Sequence, residues 1–355
     1  MKSANQFKLK VDLLTKGIRG NLKPLRKGGG GPVGGVSFKV EDCVVNAPYT
    51  QNFAKLSPYE IVEVKGKYKL LKDGENVADV FVPKEPEYYK FCVDGIEMKR
   101  IVALDGVDTL VTSVLRHCSH KRKCAFCSLE YGEDFVKEKK PEQIAKVVEK
   151  AVEEDKNRHL VITTGTPPTP DKGALLVANV VKAVKEQTNI PIQVQVEPPK
   201  KLGFIDSLYD AGADAISLNV ETFDLGIRSK VVPEKPSIEE YLKCLKYSLN
   251  LFEESNVSSW LLVGLGETFE SLIDGCTMLC EIGAIPFVVP YRPSPSVNRK
   301  MCDYEYLMNV YIKIAEMMKS YGIKPKSKAG CTRCQACSAI DVALECIDNF
   351  QTEDL

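Results

Sequence analysis

The chain shows no excess of charge of either sign: across 355 residues, 48 Lys and Arg face 48 Asp and Glu. An overall basic field that would draw it to nucleic acid or to an anionic membrane is therefore missing, and neither is an expected partner. No uninterrupted apolar stretch is long enough to span a bilayer, and the opening residues, MKSANQFKLK, lack the apolar centre of a secretion signal. The expected location is the cytoplasm. The glycine run Lys27-Gly28-Gly29-Gly30-Gly31-Pro32 has no Gly-Lys-Ser/Thr after it and no strand before it. It reads as a turn-forming segment and not as a phosphate cradle. Histidine is scarce, with 3 in the chain, and two of them, His117 and His120, stand together.

Cysteine is plentiful. There are 13, an odd number, in a chain too large to need disulfide staples. Six of them fall in two close groups, which points to metal or iron–sulfur ligation. The remaining composition, 44% hydrophobic and 27% charged, is that of a folded globular protein able to bury a sizeable core.

Three regions are expected. Residues 1–106 read as a β-rich extension, because Lys72-Asp73-Gly74, Asp94-Gly95 and Asp105-Gly106 each sit between β-prone runs as hairpin turns do. From 107 to 325 strand and helix patterns alternate. Apolar strand candidates are Thr109 to Leu115, His159 to Thr163, Ile190 to Val196, Ala215 to Val220, Ser258 to Val263 and Ile285 to Val289. Helical patterns cover Glu142 to Glu153, Ala174 to Lys185, Ile238 to Phe252, Phe269 to Glu281 and Tyr304 to Lys319. Six such units are too few for a closed eight-unit barrel, so the expected class is α/β, a partial (βα)6 TIM-type barrel. Residues 326–355 form a Cys-rich tail. In such a barrel the ligand site lies beyond the carboxyl ends of the strands.

Cys118-Ser-His-Lys-Arg-Lys-Cys124-Ala-Phe-Cys127 begins just past the first of these strands. Three thiolates at this spacing hold three irons of a cubane and leave the fourth open to a small ligand. Lys121, Arg122 and Lys123 supply positive charge that favours thiolate. Zinc is the competing metal, with His117 or His120 as a fourth ligand. Alternate residues of a strand share a face, so Gln195 with Glu197, and Asn219 with Glu221, are polar pairs able to point together into a barrel mouth.

In these residues the sequence resembles the radical S-adenosylmethionine (SAM) enzymes, in the biotin-synthase-like branch, over about residues 107 to 295. The five-then-two spacing of the cysteines, in place of the usual three-then-two, is similar to that of the HmdB (HcgA) family, implicated in building the iron-guanylylpyridinol cofactor of [Fe]-hydrogenase. The resemblance implies a [4Fe-4S] cluster on Cys118, Cys124 and Cys127, with S-adenosyl-L-methionine chelating the open iron and being cleaved to a 5′-deoxyadenosyl radical. It also implies a small-molecule substrate and a one-electron donor such as ferredoxin or flavodoxin. By the same resemblance Phe126 packs near the adenine, and Thr164, Gly165 and Thr166 offer backbone groups to the methionyl amino group. Glu221, then Glu197, contacts the ribose or amino acid part of SAM. Tyr291 belongs to the apolar edge that receives adenine. Val263-Gly264-Leu265-Gly266-Glu267-Thr268 resembles the family's glycine-rich segment, with Glu267 in a helix-capping role. Relatives place an arginine near the position of Tyr241 to pair with the SAM carboxylate. Arg228 is the candidate substitute.

The tail carries Cys331, Cys334 and Cys337, with Cys346 nine residues later. These four are read as an auxiliary iron–sulfur site, a structural zinc site, or unligated thiols. This tail and the glycine-rich leader are also similar to an uncharacterised radical SAM family encoded beside nitrilase genes. The expected function is thus a radical SAM enzyme of cofactor biosynthesis. A zinc-stabilised, non-catalytic scaffold is the alternative from another class.

Overall fold

The computed structural model describes residues 4–26, 32–130, 135–294 and 301–347. Most of the glycine run, Lys27 to Gly31, lies outside the described residues. The leader opens on a helix, Ala4–Lys16, not anticipated from the sequence. It buries Phe7, Val11, Leu13 and Leu14 against the strand Cys43–Pro48 and against two helices of the carboxyl-terminal part. A six-stranded sheet follows, antiparallel except where Arg19–Gly20 pairs with Tyr59–Val64. All three expected turns join antiparallel pairs. In two of them the paired positive φ values of Asp73 and Gly74, and of Asp94 and Gly95, match the twist of a two-residue hairpin.

The second sheet carries the site. Its six parallel strands are β1 (Thr109–Ser113), β2 (His159–Thr163), β3 (Ile192–Gln195), β4 (Ala215–Ser217), β5 (Val257–Val263) and β6 (Ile285–Pro290). They lie side by side in chain order, and Ala103–Asp105 adds an antiparallel edge to β1. This is a half-barrel, open between β6 and the edge strand. The covering helices are α1 (Pro141–Asp155), α2 (Ala174–Gln187), α3 (Gly203–Asp210), α4 (Leu225–Val231), α5 (Ile238–Ser248), α6 (Phe269–Ile282) and α7 (Tyr304–Ser320). Pro141 opens α1, where its missing N–H costs nothing, and Ile144, Val147, Val148 and Ala151 form the buried stripe. Short α3 and α4 escape sequence reading because seven or eight residues hold too few turns for periodicity to register.

β4 is shorter than its apolar run suggests. Past Ser217 side chains interrupt the ladder: Trp260 N donates to Asn219 Oδ1 at 3.2 Å and Val220 N to Ser259 Oγ at 3.0 Å, before backbone pairing resumes with Glu221 N on Trp260 O at 3.0 Å. Glu221 then turns left-handed at φ +70°. Among the described residues no helix is long and apolar enough to cross a membrane.

Candidate functional site

Alternate residues of the strands face one cavity of about 900 Å3: Val111 and Ser113 of β1, Val161 and Thr163 of β2, Gln195 of β3, Trp260 and Leu262 of β5. Its wall is completed by the Cys118–Cys127 loop after β1, by the polar strand ends and by the tail. Cys118, Cys124 and Cys127 therefore line the same space as Cys331, Cys334 and Cys337.

The first cysteine loop is tied down by backbone bonds from two sides: Ser119 N donates to Thr166 O at 2.8 Å and Ala125 N to Val231 O at 2.8 Å. Backbone N–H groups also reach the sulfurs, Thr166 N to Cys118 Sγ at 3.2 Å and Leu129 N to Cys127 Sγ at 3.5 Å. Such donors stabilise sulfur that has lost its proton. The basic run does not do so in the way its charge suggests. Glu234 receives the backbone N–H groups of Lys121 and Arg122, and Lys123 pairs with Glu130 at 2.8 Å. Burial consequently prevails and pushes the Cys124 thiol up to about 12, against the pull of Lys235. Loading iron onto these thiols must release protons.

Gly165 lets this loop approach. A Cβ there would stand 1.9 Å from the His117 carbonyl oxygen, a backbone atom with little room to yield. Gly165→Ala is expected to displace the cysteine loop, lowering stability by about 1–3 kcal/mol as overpacking does. A sharp fall in iron retained per chain should accompany it, and metal analysis with a thermal melt checks both.

His120 is not aimed at the thiols. Its Nε2 meets Glu197 Oε1 at 2.9 Å and its Nδ1 lies 3.6 Å from Glu234. The Glu197 bond raises the His120 pKa, while Glu197 is held below the usual carboxylate range because His120 and Lys235 outweigh its burial. Among the described residues, no three His, Cys, Asp or Glu converge as ligands of one ion. A tetrahedral zinc needs that convergence, whereas thiolates on a cubane take separate irons and stand further apart. Two trios of thiols around one space are a donor set suited to iron–sulfur clusters.

Phe126, Thr164, Thr166, Glu197, Glu221 and Tyr291 all line the cavity. Gly165 sits behind, against His117. Arg228 does not face the space: its guanidinium is spent on the carbonyls of Val220 at 2.6 Å and Thr222 at 3.4 Å, with a further short bond to Pro236. An arginine trapped by three carbonyls braces the turn after β4 and has little left for a ligand. A cation that does line the cavity beside these strand ends is Lys235, in the loop between α4 and α5, with Nζ 2.7 Å from Glu221 Oε1. Burial would lower its pKa, but the Glu221 carboxylate overrides this and raises it well above the ordinary lysine value. Tyr241 lines the cavity beside them, and its buried hydroxyl has no hydrogen-bond partner among the described residues. Sequence reading missed Lys235, and its one signal was the need of a buried Glu221 for a counter-charge.

Glu267 is not a helix cap. Thr268 caps α6, accepting from Ser271 N at 3.1 Å, while Glu267 gathers the N–H groups of Gly264, Leu265 and Gly266 at 2.7, 2.8 and 3.0 Å.

In the tail, Cys331–Cys334 forms a short helix against the barrel floor. Gly330 N donates to His159 Nδ1 at 3.0 Å, Cys331 N to Gln193 Oε1 at 3.2 Å, and Gln195 Nε2 to Cys331 Sγ at 3.3 Å. Cys346 is not among the residues that line the cavity with the trio. It ends the helix Ile340–Cys346, which packs on Ala4–Lys16 and α7, and it is fully buried in the apolar core.

The family model for the radical SAM superfamily matches residues 112–278. The chain is 32% identical over 167 residues to lipoyl synthase of Pyrobaculum calidifontis, covering 45% of this chain and 55% of that protein. With lipoyl synthase of Caldicellulosiruptor saccharolyticus it shares 29% over 207 residues, 57% of this chain and 69% of the relative. Against several of the curated relatives it matches, the chain spans only about half of their length. Among solved structures, a radical SAM methyltransferase from Sphaerobacter thermophilus superposes with TM-score 0.48 at 14% identity, covering 75% of each chain.

Proposed function

We propose that this chain, whose central segment matches the radical SAM superfamily, is an enzyme that reductively cleaves SAM in a cavity shared by two iron–sulfur clusters. The superfamily match supports a [4Fe-4S] cluster and SAM as cofactors. The observation that carries the reading is the arrangement of two thiol trios and a ring of polar strand ends around one space. When bound, the cluster supplies one electron that breaks a carbon–sulfur bond of SAM, giving a 5′-deoxyadenosyl radical.

In this reading Cys118, Cys124 and Cys127 hold the catalytic cluster, and Cys331, Cys334 and Cys337 an auxiliary one. Thr164 to Thr166 and Glu221 bind the methionyl and ribose parts of SAM, Phe126 and Tyr291 flank the adenine, and Lys235 takes the role first given to Arg228. Glu197 and His120 form an ion pair that fixes the mouth. The apolar wall keeps water from reactive species. A small molecule is the substrate, and ferredoxin or flavodoxin the electron donor.

Anaerobically purified protein should be brown and carry about eight irons per chain, two four-iron clusters. A variant with both Cys331→Ala and Cys334→Ala should fall to about four and keep the SAM-responsive cluster. A colourless protein with stoichiometric zinc would defeat the proposal.

The finer assignment we propose is biosynthesis of the iron-guanylylpyridinol cofactor of [Fe]-hydrogenase, supported by the five-then-two spacing of the first trio. Lipoyl-type synthesis is the second reading, favoured by the similarity to proteins named lipoyl synthase and by the tail thiols facing the cavity. Mass analysis separates them: the second requires a product that has gained sulfur and the first does not.

A further inference from the structure

The cavity wall is unequally charged. Eight lysines and arginines but six carboxylates are found among its described lining residues. Each of the six carboxylates already has a cation of its own, Glu197 with His120, Glu221 with Lys235 and Asp105 with Arg26 among them.

Lys139 has none. It is 5% exposed, and its Nζ donates to Ile101 O at 2.7 Å and Thr112 Oγ1 at 3.1 Å. An ammonium carries three donors, so one remains unspent. No carboxylate stands within ion-pair distance of it among the described residues. Burying a cation with no anion is costly, and here burial together with the nearby Arg116 charge pushes Lys139 down to about 7. The thiols do not explain this cation. Cys124 is influenced by Lys235, and Cys337 by Arg292, Arg26 and Lys10.

Its position suits a ligand. Lys139 N donates to Val114 O at 3.0 Å, which places the residue at the open edge of the half-barrel, beside β1 and the strand Ala103–Asp105. Arg116 lines the same part of the wall, fixed by its Nε bond to Leu129 O at 2.9 Å and by the Phe135 ring 4.1 Å from its guanidinium carbon.

We propose that Lys139, with Arg116 beside it, anchors an anionic head group, a carboxylate or a phosphate, of the substrate. This deepens the function proposed above and rests on that cavity being the reaction site. The substrate class is thereby narrowed to an organic acid or phosphate ester whose charge is held at the edge of the barrel.

The test uses the full anaerobic chain with inorganic phosphate and butyrate as probes, against chloride at equal ionic strength. Acetic anhydride labelling of Lys139, read by peptide mass spectrometry, should slow about tenfold when the anion stands near ten times its dissociation constant. The same anion should raise Tm. Protection by phosphate alone identifies a phosphate head group, and protection by butyrate alone a carboxylate. Protection by neither overturns the proposal. Lys139→Met, which removes a buried charge and keeps the stem, should fold and lose the anion-dependent rise in Tm, while Lys139→Arg keeps it. A Lys139→Met protein whose Tm still follows the anion shows a merely structural lysine. None of these readings involves SAM. Brown protein that cleaves SAM but shows no protection sinks this inference and leaves the proposed function standing, and a colourless protein showing protection does the reverse.

Discussion

Cys118→Ala protein, supplied with SAM and dithionite, is expected to form no measurable 5′-deoxyadenosine. Cys118 sits at the end of β1, where its sulfur takes the Thr166 N–H and its loop is pinned to the end of β2. In the proposed cluster Cys124 and Cys127 alone would hold two irons, and the vacant corner that SAM needs would no longer be defined. Loss of an outer partner of a metal site typically costs about 10–100-fold, and loss of a ligand should exceed that. Chromatography of the quenched reaction reads the product, and paramagnetic resonance of the reduced protein reads whether SAM still perturbs the signal. Cys118 is only half-buried, so Tm should stay near that of the parent and separate lost chemistry from lost fold. A variant that cleaves SAM at the parent rate would overturn the cluster assignment.

Much of the frame was legible because it is written in local periodicity. The six apolar runs became six parallel strands in chain order, and the Asp-Gly turns became hairpins, since both signals depend only on neighbouring residues. What was lost depends on where a side chain points after folding. Arg228 and Lys235 are seven residues apart, and nothing in Val231-Val232-Pro233-Glu234-Lys235 says that the lysine turns inward while the arginine is captured by carbonyls. The chain has to close on itself before Val220 and Pro236 become neighbours. Cys346 is a similar case: spacing after Cys337 groups it with the tail trio, and only the folded helix Ile340–Cys346 sets it in the core and off the cavity wall. The helix Ala4–Lys16 was hidden by a mixed polar and apolar sequence whose buried face includes Lys10, which reaches Asp341 at 2.8 Å.

The second large effect is expected at Lys235. Its ammonium and the Glu221 carboxylate lie 2.7 Å apart with side chains 12% and 8% exposed, and the carboxylate is the principal reason the lysine stays charged there. Lys235→Met strands the carboxylate, and removing one partner of a buried pair costs about 3–5 kcal/mol. Replacing both, as Lys235→Met with Glu221→Gln, leaves no uncompensated charge, so most of that stability should return. Denaturant unfolding of the three variants against the parent gives the cycle. Glu221 also holds φ at +70°, a left-handed backbone in a non-glycine residue, and such strain persists where the surrounding structure imposes it, often at ligand sites. Were the pair only a brace, the double variant would recover SAM cleavage along with its stability. If the pair meets SAM, stability returns and cleavage does not, because a cation and an anion facing the cofactor have both been erased. Equilibrium dialysis with SAM and the 5′-deoxyadenosine assay on that one stable variant decide between the two, and a double variant that binds and cleaves SAM like the parent removes Glu221 and Lys235 from the site.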